Sequence, residues 1–138
     1  MQIEPYLFFE GRTEEALEFY QSRLGAKVEF LMRFKDNPSP QYNPPNAGEK
    51  VMHSCFRLGD TQIMASDGDC KGKASFQGFA LTINAANPVE AEQRFKALAD
   101  GGQVQMPLNE TFFAKSFGMV ADRFGVSWMV IAGQKKPA

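Results

Sequence analysis

His53, Cys55 and Arg57 stand two residues apart in the stretch VMHSCFRLGDTQIMASDG, Val51 to Gly68. An imidazole that changes charge near neutral pH can move protons, a thiol can attack carbon, and a guanidinium can hold an anion. Spacing of two along a strand puts all three on one face. Gly59-Asp60 reads as the two-residue turn of a hairpin. With Leu58 paired to Thr61, Arg57 falls opposite Gln62, Cys55 opposite Met64 and His53 opposite Ser66. These six side chains then share a face that is expected to wall a pocket. In it His53 serves as acid or base and Arg57 binds an anionic group, Gln62 and Ser66 complete a polar strip crossed by Cys55 and Met64, and the Met and Phe side chains hold an apolar ligand body. Met129, on a later strand, is expected to join them, with Phe76, Gly78, Ala80, Thr82, Ser127 and Ile131 on the matching face of the second half. Glu110, just before Thr111-Phe112-Phe113, is expected to approach His53 from a loop as its proton-transfer partner.

The opposite face of the hairpin carries Met52, Phe56, Leu58, Ile63 and Ala65, with Ser54 the exception, and should pack under helices. Cys55 reads as a plain buried thiol rather than a nucleophile, and Cys70 lies in a Gly/Lys-rich loop, so no disulfide framework is visible. Trp128, by the same alternation, belongs to the core. Asp67-Gly68-Asp69 lacks the spaced ligands of a calcium loop and reads as a solvated turn.

These elements sit in a chain of 138 residues, 43% hydrophobic with 13 Phe, large enough for one domain with a sizeable core. A net charge of −1 makes no electrostatic case for nucleic acid or an anionic membrane. No apolar run approaches the roughly 20 residues of a membrane span. Glu4 and Pro5 stand where a secretory signal would carry basic residues and then an apolar run, so the expected location is cytoplasmic.

In order, Ile3–Phe9 reads as a strand, and Thr13 as the cap of a helix with Ala16, Leu17, Tyr20 and Leu24 on its apolar stripe and Gly25 as its stop. Lys27–Phe34 is a second strand. Lys35–Lys50, with four prolines and three asparagines, is a long loop expected to lie across or beside the pocket mouth. After the hairpin and a linker at Asp69–Ser75, the order repeats. Phe76–Ile83 reads as a strand, and Asn87-Pro88-Val89-Glu90 starts a helix that ends at Gly101-Gly102. Gln103–Met106 is a strand, and a second hairpin from Ser116 to Ala132 turns at Asp122–Gly125. The expected fold is α+β. Two tandem βαβββ modules, about residues 1–68 and 76–133 of a single domain spanning 1–138, form a curved mixed sheet around a concave pocket with helices outside.

Three stretches, PYLFFEGRTEEALEFY, GDTQIMASD and ETFFAKSFGMVADRFGVSWMV, resemble the PhnB-like branch of the vicinal-oxygen-chelate superfamily, which includes glyoxalase I, bleomycin-resistance proteins and extradiol dioxygenases. The resemblance covers nearly the whole chain. It implies a homodimer burying about 1,200 Å² or more, and it leaves the reaction open, because one scaffold hosts isomerases, oxygenases, lyases and binders. The superfamily's metal ligands, commonly His and Glu, map onto Pro5, Met64, Gly78 and Met129, none of them a hard N or O side-chain donor. Three functions follow as alternatives. The first is binding of a small molecule without metal or cofactor. The second is an isomerase or lyase using His53 and Glu110, and the third a metalloenzyme with ligands relocated to His53, Glu110 and Asp67. The donor set predicts that protein purified without chelator carries far less than one equivalent of zinc, nickel, manganese or iron. A stoichiometric metal held by His53 would favour the third function.

Overall fold

The computed structural model describes residues 1–135, and they fall into two units, Met1–Ala74 and a second that begins at Ser75. The first contains β1 (Tyr6–Phe8), α1 (Thr13–Leu24), β2 (Lys27–Arg33), β3 (Val51–Leu58) and β4 (Thr61–Ser66). The second contains β5 (Leu81–Asn84), α2 (Pro88–Ala99), β6 (Gln103–Asn109), β7 (Ala114–Ala121) and β8 (Ser127–Gln134). Both therefore read βαβββ, in an α+β fold. Each unit has its own four-stranded sheet, ordered β1-β4-β3-β2 and β5-β8-β7-β6. In both, the first strand runs parallel to the last and the other pairings are antiparallel.

In the first unit the hairpin forms in the register read from the sequence: Leu58 pairs with Thr61, Arg57 with Gln62 and Cys55 with Met64. Gly59 takes a left-handed φ of 57°, which a residue without Cβ adopts at no steric cost. One face of this sheet is a core: Phe56, Ile63 and Ala65 are buried with Leu7 and Phe9 of the β1 region and with Ala16, Leu17 and Tyr20 of α1. Ser54, the polar exception, is fully buried and donates its hydroxyl to the Ala65 carbonyl at 2.8 Å, so its burial leaves no unpaired group.

The start of α1 differs from expectation. Thr13 is the first helical residue and caps nothing with its side chain; its hydroxyl is buried without a hydrogen bond. The cap comes from Asp67, at the end of β4. Its Oδ1 accepts the backbone N–H groups of Gly11 at 3.0 Å and Thr13 at 2.9 Å, and its Oδ2 accepts that of Val51 at 2.8 Å. Asp67 is 1% exposed, so the expected solvated turn is instead a buried joint between helix start, β3 and β4. A carboxylate there also faces the positive end of the helix dipole.

Long-range pairing shortened two strands. Pro5 has no N–H, and the ladder begins at Tyr6. Gly78 sits at φ 81°, and the strand expected from Phe76 begins only at Leu81, so Phe76, Gly78 and Ala80 belong to no ladder. The α2 start matches its reading: Asn87 Oδ1 accepts the Glu90 N–H at 2.9 Å, with Pro88 at the first turn. Gly102 is required where it stands, since a Cβ there would lie 2.2 Å from the Ala121 carbonyl oxygen. Trp128 is core, as expected, and its indole N–H donates to buried Asp122 at 2.9 Å.

The Lys35–Lys50 loop folds on itself. Two single 3-10 turns, Phe34–Asp36 and Pro40–Tyr42, are tied by Asn37 Nδ2 to Asn43 Oδ1 at 2.7 Å and by Asn43 Nδ2 to the Phe34 carbonyl at 2.8 Å. Its base is closed by Arg33, whose guanidinium makes paired bonds to Glu14 of α1 at 2.6 and 3.1 Å and reaches the Glu49 carbonyl at 2.6 Å.

Because two buried backbone donors, Thr13 and Val51, and the half-buried Gly11 depend on one carboxylate, Asp67→Ala is expected to cost about 2 kcal/mol or more, at ~1–3 kcal/mol per buried group left unpaired. Asp67→Asn, which keeps one acceptor oxygen, should cost less. Urea unfolding of both variants checks this, and a loss under about 1 kcal/mol for the alanine variant would contradict the role given to Asp67.

Candidate functional site

The open face of the first unit's sheet is built by four strands. From β3 it takes His53, Cys55 and Arg57, and from β4 Gln62 and Met64. β1 contributes Tyr6 opposite Met64 and Phe8 opposite Ser66, and β2 contributes Phe30 opposite Cys55 and Met32 opposite His53. Alternation alone would send Phe30 to the same side as Val28, which pairs with Phe56 on the core side. A bulge at Glu29 shifts the register and turns Phe30 to the His53 side.

His53 is the centre of this face. The Tyr6 phenol lies 2.8 Å from its Nδ1, and Cys55 Sγ lies 3.7 Å from its Nε2. Aromatic rings continue on both sides. Phe8 stacks on Tyr6 at 4.9 Å, Tyr6 on His53 at 5.6 Å, and Phe30 tilts against His53 at 5.8 Å. The three aromatic side chains are 36% (Tyr6), 50% (Phe8) and 45% (Phe30) exposed, in contrast to the buried core face behind them. Burial pushes the Tyr6 phenol above its ordinary value, the hydrogen bond with Ser66 opposes that, and nearby Cys55 adds to it. Burial likewise raises the Cys55 thiol, with Glu4 and Glu29 adding to the effect, so its sulfur is a thiol at neutral pH.

The other expected site residues have defined partners. Arg57 pairs with Glu29 at 3.3 Å and donates to the Asp60 carbonyl at 3.3 Å. Gln62 Nε2 lies 3.9 Å from Cys55 Sγ. Ser66 is buried; it accepts the Gly68 N–H at 2.9 Å and lies beneath the aromatic row rather than on an open wall. Glu110 and Met129 belong to the second unit. Glu110 is held by Lys135 at 2.5 Å, and that bond and charge lower its pKa. It lines an open groove of about 720 Å³ between α2 and the β6–β7 strands, with Phe95, Val104, Leu108 and Lys115. Met129 lies between Thr82 and Met119 in the second sheet.

Tyr6, Phe8 and Phe30 are absent from the sequence-based site. For Tyr6 and Phe8 the signal was present: they alternate with buried Leu7 and Phe9. For Phe30 the bulge removes it.

The repeated βαβββ order, with each first strand parallel to its last, defines a vicinal-oxygen-chelate fold. A glyoxalase-related enzyme from Fulvimarina pelagi shares that fold with a TM-score of 0.64 at 19% identity, over 96% of this chain and 88% of that one. A model of the family described as 3-demethylubiquinone-9 3-methyltransferase matches residues 1–131, and the chain belongs to that family, the PhnB-like branch of the superfamily. It is similar to protein PA1353 of Pseudomonas aeruginosa at 41% identity and a TM-score of 0.85, over 98% of this chain and 99% of that one. It is 34% identical to protein YjdN of Escherichia coli over 99% of both chains. A PhnB protein from Bacillus cereus matches at 28% identity and a TM-score of 0.81, over 96% of this chain and all of that one.

The superfamily's metal does not fit the residues found here. Tyr6 stands in register with Met64, and Thr82 with Met129, where His and Glu would be needed. The Tyr6 phenol is engaged by His53. Among the described residues, no three of His, Cys, Asp and Glu gather where one ion could sit.

A raised thiol pKa has a direct consequence for Cys55. In a Cys70→Ser background, its alkylation by iodoacetamide should be slower at pH 7.5 than that of a free thiol, with the rate inflecting above the ordinary value of 9.0. Mass-spectrometric rates across pH 7–10.5 give the answer, and an inflection below pH 8 would mark Cys55 as an activated nucleophile.

Proposed function

We propose that this PhnB-like protein binds a small molecule on the open face of its first sheet, around His53, and performs no metal chemistry there. The observation that supports this most is the row Phe8, Tyr6, His53 and Phe30, rings left half-exposed on one side of a sheet whose other side is buried. Apolar surface of that kind with a few polar groups among it is how ligand sites are lined. Cys55, Gln62 and Met64 complete the wall, and Arg57, turned to Glu29, stands at its edge. The proposal includes a homodimer in the cytoplasm. No helix among the described residues is long and apolar enough to cross a membrane, and Val104 and Met106, exposed on edge strand β6, offer apolar surface to a second copy.

The alternatives have less support. Proton transfer shared between His53 and Glu110 needs a carboxyl that titrates near neutral pH, whereas Lys135 holds Glu110 as carboxylate. Relocated metal ligands would have to include Asp67, both of whose oxygens already accept buried backbone N–H groups. A methyl transfer, suggested by the family's name, lacks a glycine-rich cofactor cradle. The β1–α1 connection Phe9-Glu10-Gly11-Arg12 has one glycine and the β5–α2 connection Ala85-Ala86-Asn87 none.

A thermal-shift screen of a metabolite panel on wild type and His53→Ala, with product analysis of every hit, tests the proposal. Binding without chemistry predicts that His53→Ala weakens hits by about 1–2 kcal/mol, the scale of one hydrogen bond, with no product from either protein. Turnover lost by roughly 10²–10⁴-fold in the variant would instead make His53 an acid–base catalyst. Hits of equal affinity for both proteins would remove His53 from the site.

A further inference from the structure

Two side-chain nitrogens on this face lie near one sulfur atom. His53 Nε2 and Gln62 Nε2, from β3 and β4, lie 3.7 and 3.9 Å from the same atom, Cys55 Sγ. A thiol sulfur is a weak acceptor, and both distances exceed those of an N–H···O bond. Neither donor is spent. An oxygen atom placed between them would gain two ordinary hydrogen bonds where sulfur gives two weak ones.

Whether His53 can donate from Nε2 depends on its other nitrogen. A neutral imidazole carries one ring proton, and the hydrogen bond made by one nitrogen sets the role of the other. Tyr6 Oη lies 2.8 Å from Nδ1. A phenol hydroxyl is a far more acidic donor than an imidazole N–H, and where Tyr6 donates to Nδ1 the proton of a neutral ring resides on Nε2.

We propose, resting on the ligand-binding reading above, that His53 Nε2 and Gln62 Nε2 form a two-donor cradle for a carbonyl or carboxylate oxygen, with Tyr6 as the positioning residue that keeps the His53 proton on Nε2. The ligand class is then an oxygen acceptor attached to a flat apolar body. That body lies against Phe8, Phe30 and Met64, while the acceptor meets the cradle. Arg57 adds little net charge, because Glu29 neutralises it. A neutral carbonyl is therefore accepted as well as a carboxylate, and a cation is refused.

His53 is the only histidine in the chain, so its ring nitrogens give one pattern in a long-range nitrogen–proton spectrum of the full-length protein. The expected pattern of the neutral ring is the Nε2–H tautomer, changed to a mixture in Tyr6→Phe. Benzoate and benzamide, titrated to millimolar concentration, should shift the His53 ring and the Gln62 side-chain amide signals saturably; benzylammonium should not. Tyr6→Phe and Gln62→Leu should each weaken benzoate by about 2–10-fold, the loss of one hydrogen bond. Unchanged backbone spectra would show that both variants keep the fold. Similar affinity for benzoate and benzamide identifies the shared oxygen as the recognised group, and a preference for benzoate beyond 10-fold would assign recognition to charge at Arg57 instead. An Nδ1–H tautomer in wild type, or benzylammonium bound as well as benzoate, would overturn the cradle. So would shifts confined to Phe8 and Phe30, which would leave the binding reading in place. Silence of the whole face toward every probe and toward the metabolite panel would overturn both.

Discussion

The buried carboxylate of Asp67 fixes the first unit. Three backbone N–H groups from two places in the chain, the start of α1 and the start of β3, end on its two oxygens. Those of Thr13 and Val51 would otherwise be unpaired donors in the interior, and such groups are rarely tolerated. Asp67 directly follows β4, so its position sets where that strand stops against β1 and β3. The site residues inherit this. His53 is two residues from Val51, whose N–H Asp67 holds, and Tyr6 reaches His53 because β1 lies beside β4 in register with Met64. The second unit uses a buried aspartate differently. Asp122 closes the β7–β8 turn, accepting the N–H groups of Phe124 and Val126 and the indole of Trp128.

The division of labour between sheet faces follows from hydrophobic burial. In the first unit, Phe56, Ile63 and Ala65 pack with α1 residues and leave that face nothing to offer a ligand. No helix of the unit is left to cover the other face, where aromatic rings stand half-exposed beside one histidine. A sheet covered on one side by helices thus leaves its other side open, and one scaffold can host different functions through the residues on such a face.

The sequence revealed the scaffold through local rules. Gly59-Asp60 and strict alternation set the hairpin register, Asn87-Pro88 announced α2, and Trp128 fell on the core face by counting in twos. What stayed hidden depended on long-range pairing. Thr13 has the right residue type for a cap, but the capping carboxylate lies 54 residues further on, and nothing local marks it. Phe30 reaches the site only through a bulge, and a single added residue inverts every face downstream of it. Glu110 looked available in sequence because its partner Lys135 is distant along the chain. Tyr6 could have been found: the residue read as the first-strand position, Pro5, lies one place from it, and a proline does not enter a ladder as a donor.

Crystallographic screening of small aromatic fragments addresses most directly the claim that recognition belongs to the first sheet. Bound fragments should cluster over Tyr6, Phe8 and Phe30, with an oxygen atom beside His53 Nε2. Fragments gathered instead in the groove between α2 and β6, against Phe95, Leu108 and Lys115, with none over His53, would contradict it.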